Sequence, residues 1–339
     1  MKICRFFTLY LFISALFIVA GLKAQTIVPL QRGKPTSIRG LSVVDDNVAW
    51  ISGSKGYIAL TKDGGKTWDW RQVKGFEKAD FRDIEAFSDK EAIIMSSGTP
   101  ALVLKTTDGG TNWQIKYNNA DTAYFLDAMD FDKPGHGLIL GDPINNKFLL
   151  LETNDGGETW KPFKNPPDAL PGEAAFAASG TCLRVNGLIT IVTGGSNSRM
   201  LLSPATMPVW NTVSLPLTNG KSSMGAFSVA YGKNQTIVAG GNYANDKRTD
   251  SLIYIMANSK ALYTQTSPIK GPAGFQSCVE YLKDNTFFST GTPGSNITKD
   301  GGKTWTKIDD TSYNVCRKAK QGKLVLLAGN SGKIGLLKL

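Results

Sequence analysis

The chain has 339 residues, and its 38 Lys and Arg against 28 Asp and Glu give a formal net charge of +10. These basic residues are scattered and form no stripe interleaved with aromatic side chains, which argues against nucleic acid as a partner. The single His and the widely spaced Cys residues argue against a clustered zinc site. That His, His136, lies in a predicted turn after Lys133, Pro134 and Gly135, at the end away from the candidate site described below, which argues against a catalytic group that combines His with Ser or Cys.

The first 24 residues have the pattern of a secretory signal peptide. Lys2 and Arg5 precede an apolar run over residues 6–20, and the sequence around Ala24 fits a cleavage site. The run is shorter than the ~20 apolar residues of a membrane-spanning helix, and no later segment is apolar enough to span a bilayer. We therefore predict a signal peptide over 1–24, a secreted or periplasmic location, and a single domain over 25–339.

Beyond this segment, one pattern of short strands repeats along the chain. Strand-like stretches begin near residues 37, 80, 124, 173, 225, 275 and 313, roughly 40 to 50 residues apart, and this period is typical of solenoids and propellers. In the fourth repeat the stretch covers residues 173–178. Each stretch is followed by a second apolar strand, and then by a third and a fourth. Four short strands in each of seven units predict a seven-bladed β-propeller.

The seventh repeat supplies only three strands before Leu339. We expect its fourth strand to come from residues 26–30, which form a short β-like stretch. Pairing the two ends of the chain in one sheet closes the ring and removes exposed sheet edges. The predicted fold class is therefore all-β, with the ring closed by the N-terminal strand.

An eight-residue motif, Thr-x-Asp-Gly-Gly-x-x-Trp, joins the third strand to the fourth in four repeats, and we call these segments the octets. Asp-Gly between two apolar runs is a strong hairpin signal, because Gly adopts the positive φ of such turns. The Asp carboxylate accepts hydrogen bonds from turn amides, and the Trp fills space between packed sheets. The residues to which we assign this structural role are Thr61, Asp63, Gly65, Trp68, Thr106, Asp108, Gly110, Trp113, Thr153, Asp155, Gly157, Trp160, Thr298, Asp300, Gly302 and Trp305.

The octets resemble the Asp-box, or BNR repeat, of β-propellers such as sialidases, some glucanases, sortilin-type receptors and photosystem II stability/assembly factors. In those families the motif lies on the face away from the ligand site. The resemblance therefore implies that a site in this chain lies on the opposite face. It implies no particular activity, because one fold serves unrelated functions.

The face opposite the octets is built from the starts of the inner strands and from the loops between second and third strands. Its three Arg residues are forked donors that suit carboxylates, and its acidic residues suit pairing with those Arg. The alternative is that these groups form buried ion pairs between blades. The candidate ligand-binding residues are Arg39, Arg82, Asp83, Asp127, Asp142, Glu173, Arg199, Asn242, Tyr243 and Gln276.

The enzymatic alternative is a glycoside hydrolase, sialidase-like or glucanase-like, which needs two carboxylates about 5 to 9.5 Å apart. Sialidases usually carry an early Arg-Ile-Pro stretch, whereas Arg39 is followed here by Gly40 and Leu41. No Gly-x-Gly-x-x-Gly sequence follows a strand and opens a helix, and no calcium-ligand series is present. We therefore predict no cofactor and no metal.

Three Cys residues follow the predicted signal, namely Cys182, Cys278 and Cys316. Cys278 and Cys316 occupy matching positions in the inner strands of neighbouring repeats. We expect all three to be buried free thiols, with a disulfide between Cys278 and Cys316 as the alternative.

Four further stretches, at residues 81–84, 125–128, 141–143 and 172–179, resemble a group of secreted bacterial propellers related to the photosystem II stability/assembly factor family. Members of that group are often labelled oxidoreductases, although this chain has no flavin, nicotinamide, haem or quinone motif. The photosystem factors bind a protein partner through an Arg-bearing face. Our leading hypothesis is a non-enzymatic assembly or scaffold factor that binds a protein segment or a glycan at the channel mouth. A nominal oxidoreductase is a second alternative to it.

Overall fold

A computed structural model describes residues 25–258 and 265–339, so the predicted signal peptide over 1–24 lies outside the described residues. The described part of the chain forms seven antiparallel sheets. The inner strands of consecutive sheets contact one another in a closed cycle. These sheets are the seven blades of a β-propeller, which confirms the predicted fold class. No helix in the two described ranges is long and apolar enough to cross a membrane.

The described residues contain thirty strands and one 3₁₀ turn, at Tyr243–Asn245. In chain order, strands β1 to β30 are Thr26–Gln31, Ile38–Val43, Ala49–Gly53, Tyr57–Thr61, Asp69–Gln72, Asp80–Ala86, Ala92–Ser97, Ala101–Thr106, Gln114–Asn119, Leu126–Lys133, His136–Ile144, Lys147–Thr153, Lys161–Pro162, Glu173–Ala174, Leu183–Val185, Leu188–Val192, Gly194–Gly195, Arg199–Pro204, Asn211–Ser214, Lys221–Tyr231, Gln235–Asn242, Ile253–Ala257, Gln265–Thr266, Cys278–Lys283, Thr286–Gly291, Gly294–Thr298, Thr306–Asp309, Val315–Lys318, Val325–Ala328 and Ile334–Lys338.

Each blade uses four consecutive strands, apart from blades 4 and 7. Blades 1, 2 and 3 are β2–β5, β6–β9 and β10–β13, and blade 4 is β15, β16, β18 and β19. Blades 5 and 6 are β20–β23 and β24–β27. Blade 7 consists of β28–β30 completed by β1.

The ring is closed by pairing between the two ends of the described chain. Strand β1 runs antiparallel to β30, with Ile27 opposite Leu337 and Val28 opposite Leu336. Ile27 and Leu30 also pack against the apolar core formed by blades 1, 6 and 7. The predicted closure by the N-terminal strand is confirmed. A register shift between Pro29 and Gln31 accompanies the packing of both Ile27 and Leu30 on the core, although they are three positions apart.

The octets form hydrogen-bonded turns between third and fourth strands. In the first copy, Thr61 Oγ1 donates to Asp63 Oδ1 (2.9 Å) and accepts from Gly65 N (2.9 Å). Asp63 also accepts from the hydroxyl (2.6 Å) and the amide (2.9 Å) of Thr67, and these bonds hold the pKa of Asp63 at about 2. The other three copies repeat the Thr–Asp and Gly–Thr hydrogen bonds. Each carboxylate is thus engaged within its own turn.

The second Gly of each octet lies directly against the preceding blade. Its positive φ suits Gly, and a Cβ at any of the four positions would meet a neighbouring side chain. At Gly157 of blade 3, that Cβ would lie 2.3 Å from Ile93 Cδ1 of blade 2. At Gly65 of blade 1, it would lie 2.9 Å from Leu30 Cδ1, in the strand that completes blade 7. The octets therefore bring adjacent blades into close contact.

The predicted inner strand of blade 4, at residues 173–178, is wrong. Glu173–Ala174 forms the short strand β14, which pairs with β17 and extends the fifth sheet. The inner strand of blade 4 is instead β15, Leu183–Val185. Between β14 and β15, residues 175–182 do not pair as a blade strand; this segment includes Ser179, which contacts blade 6, and Gly180, which contacts blade 2. Gly180 has a φ of +67°, in the left-handed region that favours Gly, and it brings the chain against Asp83 of blade 2.

Candidate ligand-binding mouth

The channel opens on the face opposite the octets at what we call the mouth, and two Arg residues lie there. Arg82 Nε donates to Asp80 Oδ2 (2.7 Å), and its guanidinium carbon lies 5.8 Å from the centre of the Phe125 ring. Arg39 Nη1 donates to Ala178 O (3.4 Å). Burial and the charge of Arg82 lower the pKa of Arg39. The mouth therefore carries two neighbouring cations of which one has a carboxylate partner.

The segment that enters blade 4 lies across the channel beneath the mouth. Ser179 Oγ donates to Ser277 O (2.8 Å) in blade 6, and Arg317 Nη2 of blade 7 donates to Ser179 O (2.7 Å). Gly180 lies so close to blade 2 that a Cβ there would be 2.1 Å from Asp83 Oδ2. Ser179 is fully buried. This crossing segment separates the mouth from the channel interior.

An aromatic cluster borders the mouth on the side of blades 4 to 6. The rings of Phe176 and Phe227 are stacked with centroids 3.8 Å apart, and Phe275 meets Phe227 edge-on at 4.8 Å. Tyr243 extends the cluster, 6.2 Å from Phe227, and is 51% exposed. Asn242 is 6% exposed, and its side chain caps the 3₁₀ turn that presents Tyr243. The cluster offers a rigid aromatic surface with one ring open to solvent.

Asp127 and Asp142 are two carboxyl groups near the mouth whose surroundings raise their pKa values. Asp127 is 1% exposed, and its Oδ2 has no hydrogen-bond partner among the described residues. Burial, followed by the charge of Asp142, raises the pKa of Asp127 well above its usual value. Asp142 Oδ1 accepts from Ala175 N (3.2 Å), and burial raises the pKa of Asp142 as well. These environments favour the neutral acid at Asp127.

Glu173 and Arg199 form a bidentate ion pair that holds β14 to the third strand of blade 4. The Nε–Oε1 and Nη2–Oε2 distances are 2.8 and 2.5 Å, and the Glu173 side chain is unexposed. Thr193 Oγ1 also donates to Glu173. Gln276 is likewise fully buried and donates to Gly274 O and Phe275 O. These groups are already engaged by the protein itself.

An open depression of about 660 Å³ adjoins the Glu173–Arg199 pair. Its walls are the loop between the second and third strands of blade 3 and the residues that lead into β14, including Asp142 and Leu170. Leu170 is 40% exposed. The depression therefore combines a carboxyl group, loop amides and an apolar side chain.

A second cavity, of about 580 Å³, occupies the channel interior and opens on the octet face. The turns between first and second strands of blades 1, 3 and 7 form its rim. Burial raises the pKa of Asp83 to about 7 and that of Asp130 to about 6. Arg184 lies 3.9 Å from Asp130 and 3.7 Å from Glu280. Sequence reasoning missed this cavity, although the polar residue in each of several inner strands was a signal for it.

The structure thus divides the ten candidate residues into three groups. Arg39, Arg82, Asp142 and Tyr243 are at least partly accessible at the mouth. Asp83 lies inside the channel, where its carboxyl oxygens accept from Ile84 N (2.9 Å) and Met129 N (2.8 Å). The remaining candidates are buried or bound to protein groups, namely Asp127, Glu173, Arg199, Asn242 and Gln276.

Comparison with known proteins gives this geometry a family context. The sequence model of the family described as "Photosynthesis system II assembly factor YCF48" matches residues 28–120. The chain is 29% identical over 153 residues to the photosystem II assembly lipoprotein Ycf48 of Synechococcus sp. (strain CC9902), which covers 44% of this chain and 43% of that protein. It is 37% identical over 118 residues to the chloroplastic photosystem II stability/assembly factor HCF136 of Arabidopsis thaliana, covering 33% and 27%. This chain is a BNR-type propeller related to the photosystem II assembly factors.

Solved structures show the same architecture over almost the whole chain. A structure titled "YCF48 bound to D1 peptide" superposes with a TM-score of 0.63 at 15% identity, covering 93% of this chain and 97% of that one. A GH74 xyloglucanase from Xanthomonas campestris superposes with a TM-score of 0.62 at 14% identity, covering 92% of this chain and 53% of that one. At these identities the likeness concerns the fold alone. In sequence, this BNR-type propeller matches less than half the length of the curated relatives.

Proposed function

We propose that this chain is a non-enzymatic propeller that binds a protein segment at the mouth, as an assembly or scaffold factor. The observation that carries the proposal is that Arg39, Arg82 and the half-exposed Tyr243 all lie at the mouth, which the crossing segment separates from the channel interior. Photosystem II assembly factors among its relatives, and a YCF48 structure with a bound D1 peptide, support a protein segment over a glycan as the ligand.

The chemistry of the mouth favours an acidic segment that contains an aromatic residue. An Arg fork binds a carboxylate with two parallel hydrogen bonds, and Arg39 has no carboxylate within ion-pair distance among the described residues. Tyr243 offers an exposed ring for stacking. Arg and Tyr are also the residue types that most often dominate binding energy at interfaces.

Glycoside hydrolysis is the alternative, and burial argues against it. The two carboxyl groups of such an enzyme must reach the glycosidic bond from opposite sides. Asp127 is 1% exposed, and the Glu173 side chain is unexposed and bound to Arg199. Asp83 lies inside the channel, so among the four candidate carboxyl groups only Asp142 is partly accessible at the mouth, whereas the reaction needs two.

The proposal includes a secreted or periplasmic location, which rests on the sequence of residues 1–24. Expression of the whole chain in a bacterium, followed by N-terminal sequencing of the protein from each cell fraction, tests it. Cleavage near Ala24 in the extracytoplasmic fraction is the expected result. An intact Met1 in the cytoplasm would contradict it.

Short fluorescein-labelled peptides, with acidic residues flanking a Phe or Trp, provide the binding test. Anisotropy titrations should show that the peptide binds and that its affinity falls as the salt concentration rises. Arg39→Ala, Arg82→Ala and Tyr243→Ala should each raise the Kd about tenfold or more, which corresponds to ~1.4 kcal/mol of binding free energy. Lys66→Ala, in an octet turn on the opposite face, is the matched control and should bind as the wild type does. Peptides with Lys in place of the acidic residues should not bind.

Two outcomes would overturn the proposal. The first is equal binding of the acidic peptide by the wild type and by all three mouth variants. The second is turnover of a glycan by the wild type that Asp127→Asn or Glu173→Gln abolishes, which would identify a glycoside hydrolase.

A further inference from the structure

Two Cys side chains from neighbouring blades touch in the protein interior. Cys278 opens the inner strand of blade 6, and Cys316 lies in the inner strand of blade 7. Their Sγ atoms are 3.6 Å apart, and both residues are fully buried. A disulfide has an S–S distance of about 2.05 Å, so the sulfurs need to approach by about 1.5 Å. All three described Cys residues are free buried thiols, as the sequence predicts.

The surroundings of the two sulfurs are unequal. The Cys316 thiol donates to Cys278 Sγ, and Arg317 Nη1 lies 3.5 Å from Cys278 Sγ. Burial raises the pKa of Cys278, but the Cys316 thiol and the Arg317 guanidinium outweigh it, so this pKa lies below its ordinary value. Burial raises the pKa of Cys316. The Cys278 thiol also lies within reach of Cys316 O (3.3 Å), to which it donates. Of the two thiols, Cys278 loses its proton more readily, because Arg317 and the Cys316 thiol stabilise its thiolate, and this difference suits stepwise oxidation.

Cys182 shows what an isolated thiol looks like in the same fold. It is fully buried in blade 4, and its Sγ lies 3.5 Å from Phe176 O. Burial, followed by the charge of Asp127, raises the pKa of Cys182. Cys182 thus shares the burial of Cys278 and Cys316 but lacks their sulfur and Arg neighbours, which makes it the matched control.

We propose that Cys278 and Cys316 are an oxidisable pair that forms a disulfide between blades 6 and 7. The oxidant is a small hydroperoxide, for which the channel cavity is the nearest open space: Arg317 lines that cavity, and its Nη1 lies 3.5 Å from Cys278 Sγ. The Cys278 thiolate attacks one peroxide oxygen and becomes a sulfenic acid as hydroxide leaves. Cys316 then loses its proton and attacks the Cys278 sulfur, and a second hydroxide leaves. Two thiols and one hydrogen peroxide yield one disulfide and two waters.

The position of this pair gives the crosslink a structural role. Blade 7 is the blade that strand β1 completes, so it unites both ends of the described chain. The disulfide fastens blade 7 covalently to blade 6 and closes a loop between positions 38 residues apart. Because such a loop restricts the unfolded chain, oxidation should raise the melting temperature by about 5 °C.

Intact mass and peptide mapping of the full chain test the proposal, with Cys4→Ser in every sample so that Cys4 cannot react. The reduced protein is treated with hydrogen peroxide in its native state and is then alkylated in denaturant. Before alkylation, we expect the peroxide to lower the intact mass by two hydrogens. After alkylation, the oxidised protein should carry one alkyl group, on Cys182, where the reduced protein carries three, and peptide mapping should show a peptide linking Cys278 to Cys316. Dithiothreitol should restore all three alkylations and reverse the rise in melting temperature.

Variants identify the order of the steps. Cys182→Ser should form the disulfide as the parent does. Cys316→Ser should leave a sulfenic acid on Cys278 that dimedone traps, and Cys278→Ser should form neither product. Full alkylation of both Cys278 and Cys316 after peroxide treatment of the folded parent would overturn the proposal, as would a disulfide that includes Cys182. The parent experiment decides the matter even where a variant does not fold.

Discussion

Replacing Gly157 with Ala tests whether the octets hold neighbouring blades together. Gly157 has a φ of +82°, and an added Cβ would lie 2.3 Å from Ile93 Cδ1 and 3.4 Å from Ile93 Cγ1. The left-handed conformation costs a non-Gly residue about 1–2 kcal/mol, and an extra carbon forced into a packed contact costs about 1–3 kcal/mol. We therefore expect Gly157→Ala to lower the free energy of unfolding by about 2–5 kcal/mol.

Two other Gly residues separate these contributions. Gly187 has a φ of +78° but no atom within 4 Å of an added Cβ, so Gly187→Ala should cost only about 1–2 kcal/mol. Gly135 has neither a positive φ nor a close neighbour, so Gly135→Ala should be neutral or stabilising by up to about 1 kcal/mol. Urea titrations monitored by Trp fluorescence measure the free energy of unfolding of all three variants, provided that the m value stays constant.

A double-mutant cycle with Ile93→Val then identifies the contact itself. Ile93→Val removes the Cδ1 that an added Cβ would meet, at a cost of about 0.5–1.5 kcal/mol on its own. Combined with Gly157→Ala, it should recover stability, with a coupling of at least about 1 kcal/mol. The reasoning is refuted if the two effects are additive, or if Gly157→Ala costs no more than Gly187→Ala.

The remaining predictions concern an ion pair, a buried carboxyl group and the ring closure. Arg199→Met leaves the unexposed Glu173 carboxylate without its partner, so urea titration should show a loss of about 3–5 kcal/mol; a loss below about 1 kcal/mol would contradict this. Because burial raises the pKa of Asp83 to about 7, the native chain keeps a proton that the unfolded chain releases above about pH 4. The free energy of unfolding should therefore decline between about pH 4 and 7 by up to ~1.4 kcal/mol per pH unit. Asp83→Asn removes this titration and should make the slope shallower by up to the same ~1.4 kcal/mol per pH unit; an unchanged slope would contradict the raised pKa of Asp83. Deleting Thr26–Gln31 exposes the edge of β30, so the urea midpoint should fall and light scattering should rise; a variant that matches the wild type in both would argue against closure by β1.

The fold follows from local signals in the sequence, because each octet specifies its own turn. Asp63 and its counterparts bind turn groups within four residues, so no distant contact is needed to specify the hairpin. Blade 4 was mispredicted for the opposite reason. Residues 173–178 have the composition of an inner strand, but their path is decided by contacts of Ser179 and Gly180 with blades far away in sequence.

The site was less predictable than the fold, because exposure depends on the assembled ring. Arg199 and Arg82 look alike in sequence, yet Arg199 is bound by a buried Glu and Arg82 lies partly exposed at the mouth. Asp83 follows Arg82 near the start of the same inner strand, but the strand register shifts between Phe81 and Asp83, and the Asp83 carboxyl group lies in the channel. Neighbouring positions on one strand thus have different roles.

Amide hydrogen exchange of the full chain, with and without a saturating acidic, aromatic peptide, tests most directly whether recognition occurs on the face opposite the octets. We expect the peptide to slow exchange in the loop around Tyr243 and at the starts of the strands that carry Arg39 and Arg82. Exchange in the four octet turns should stay unchanged. Protection of the octet turns, with none around Tyr243, would contradict this assignment of the two faces.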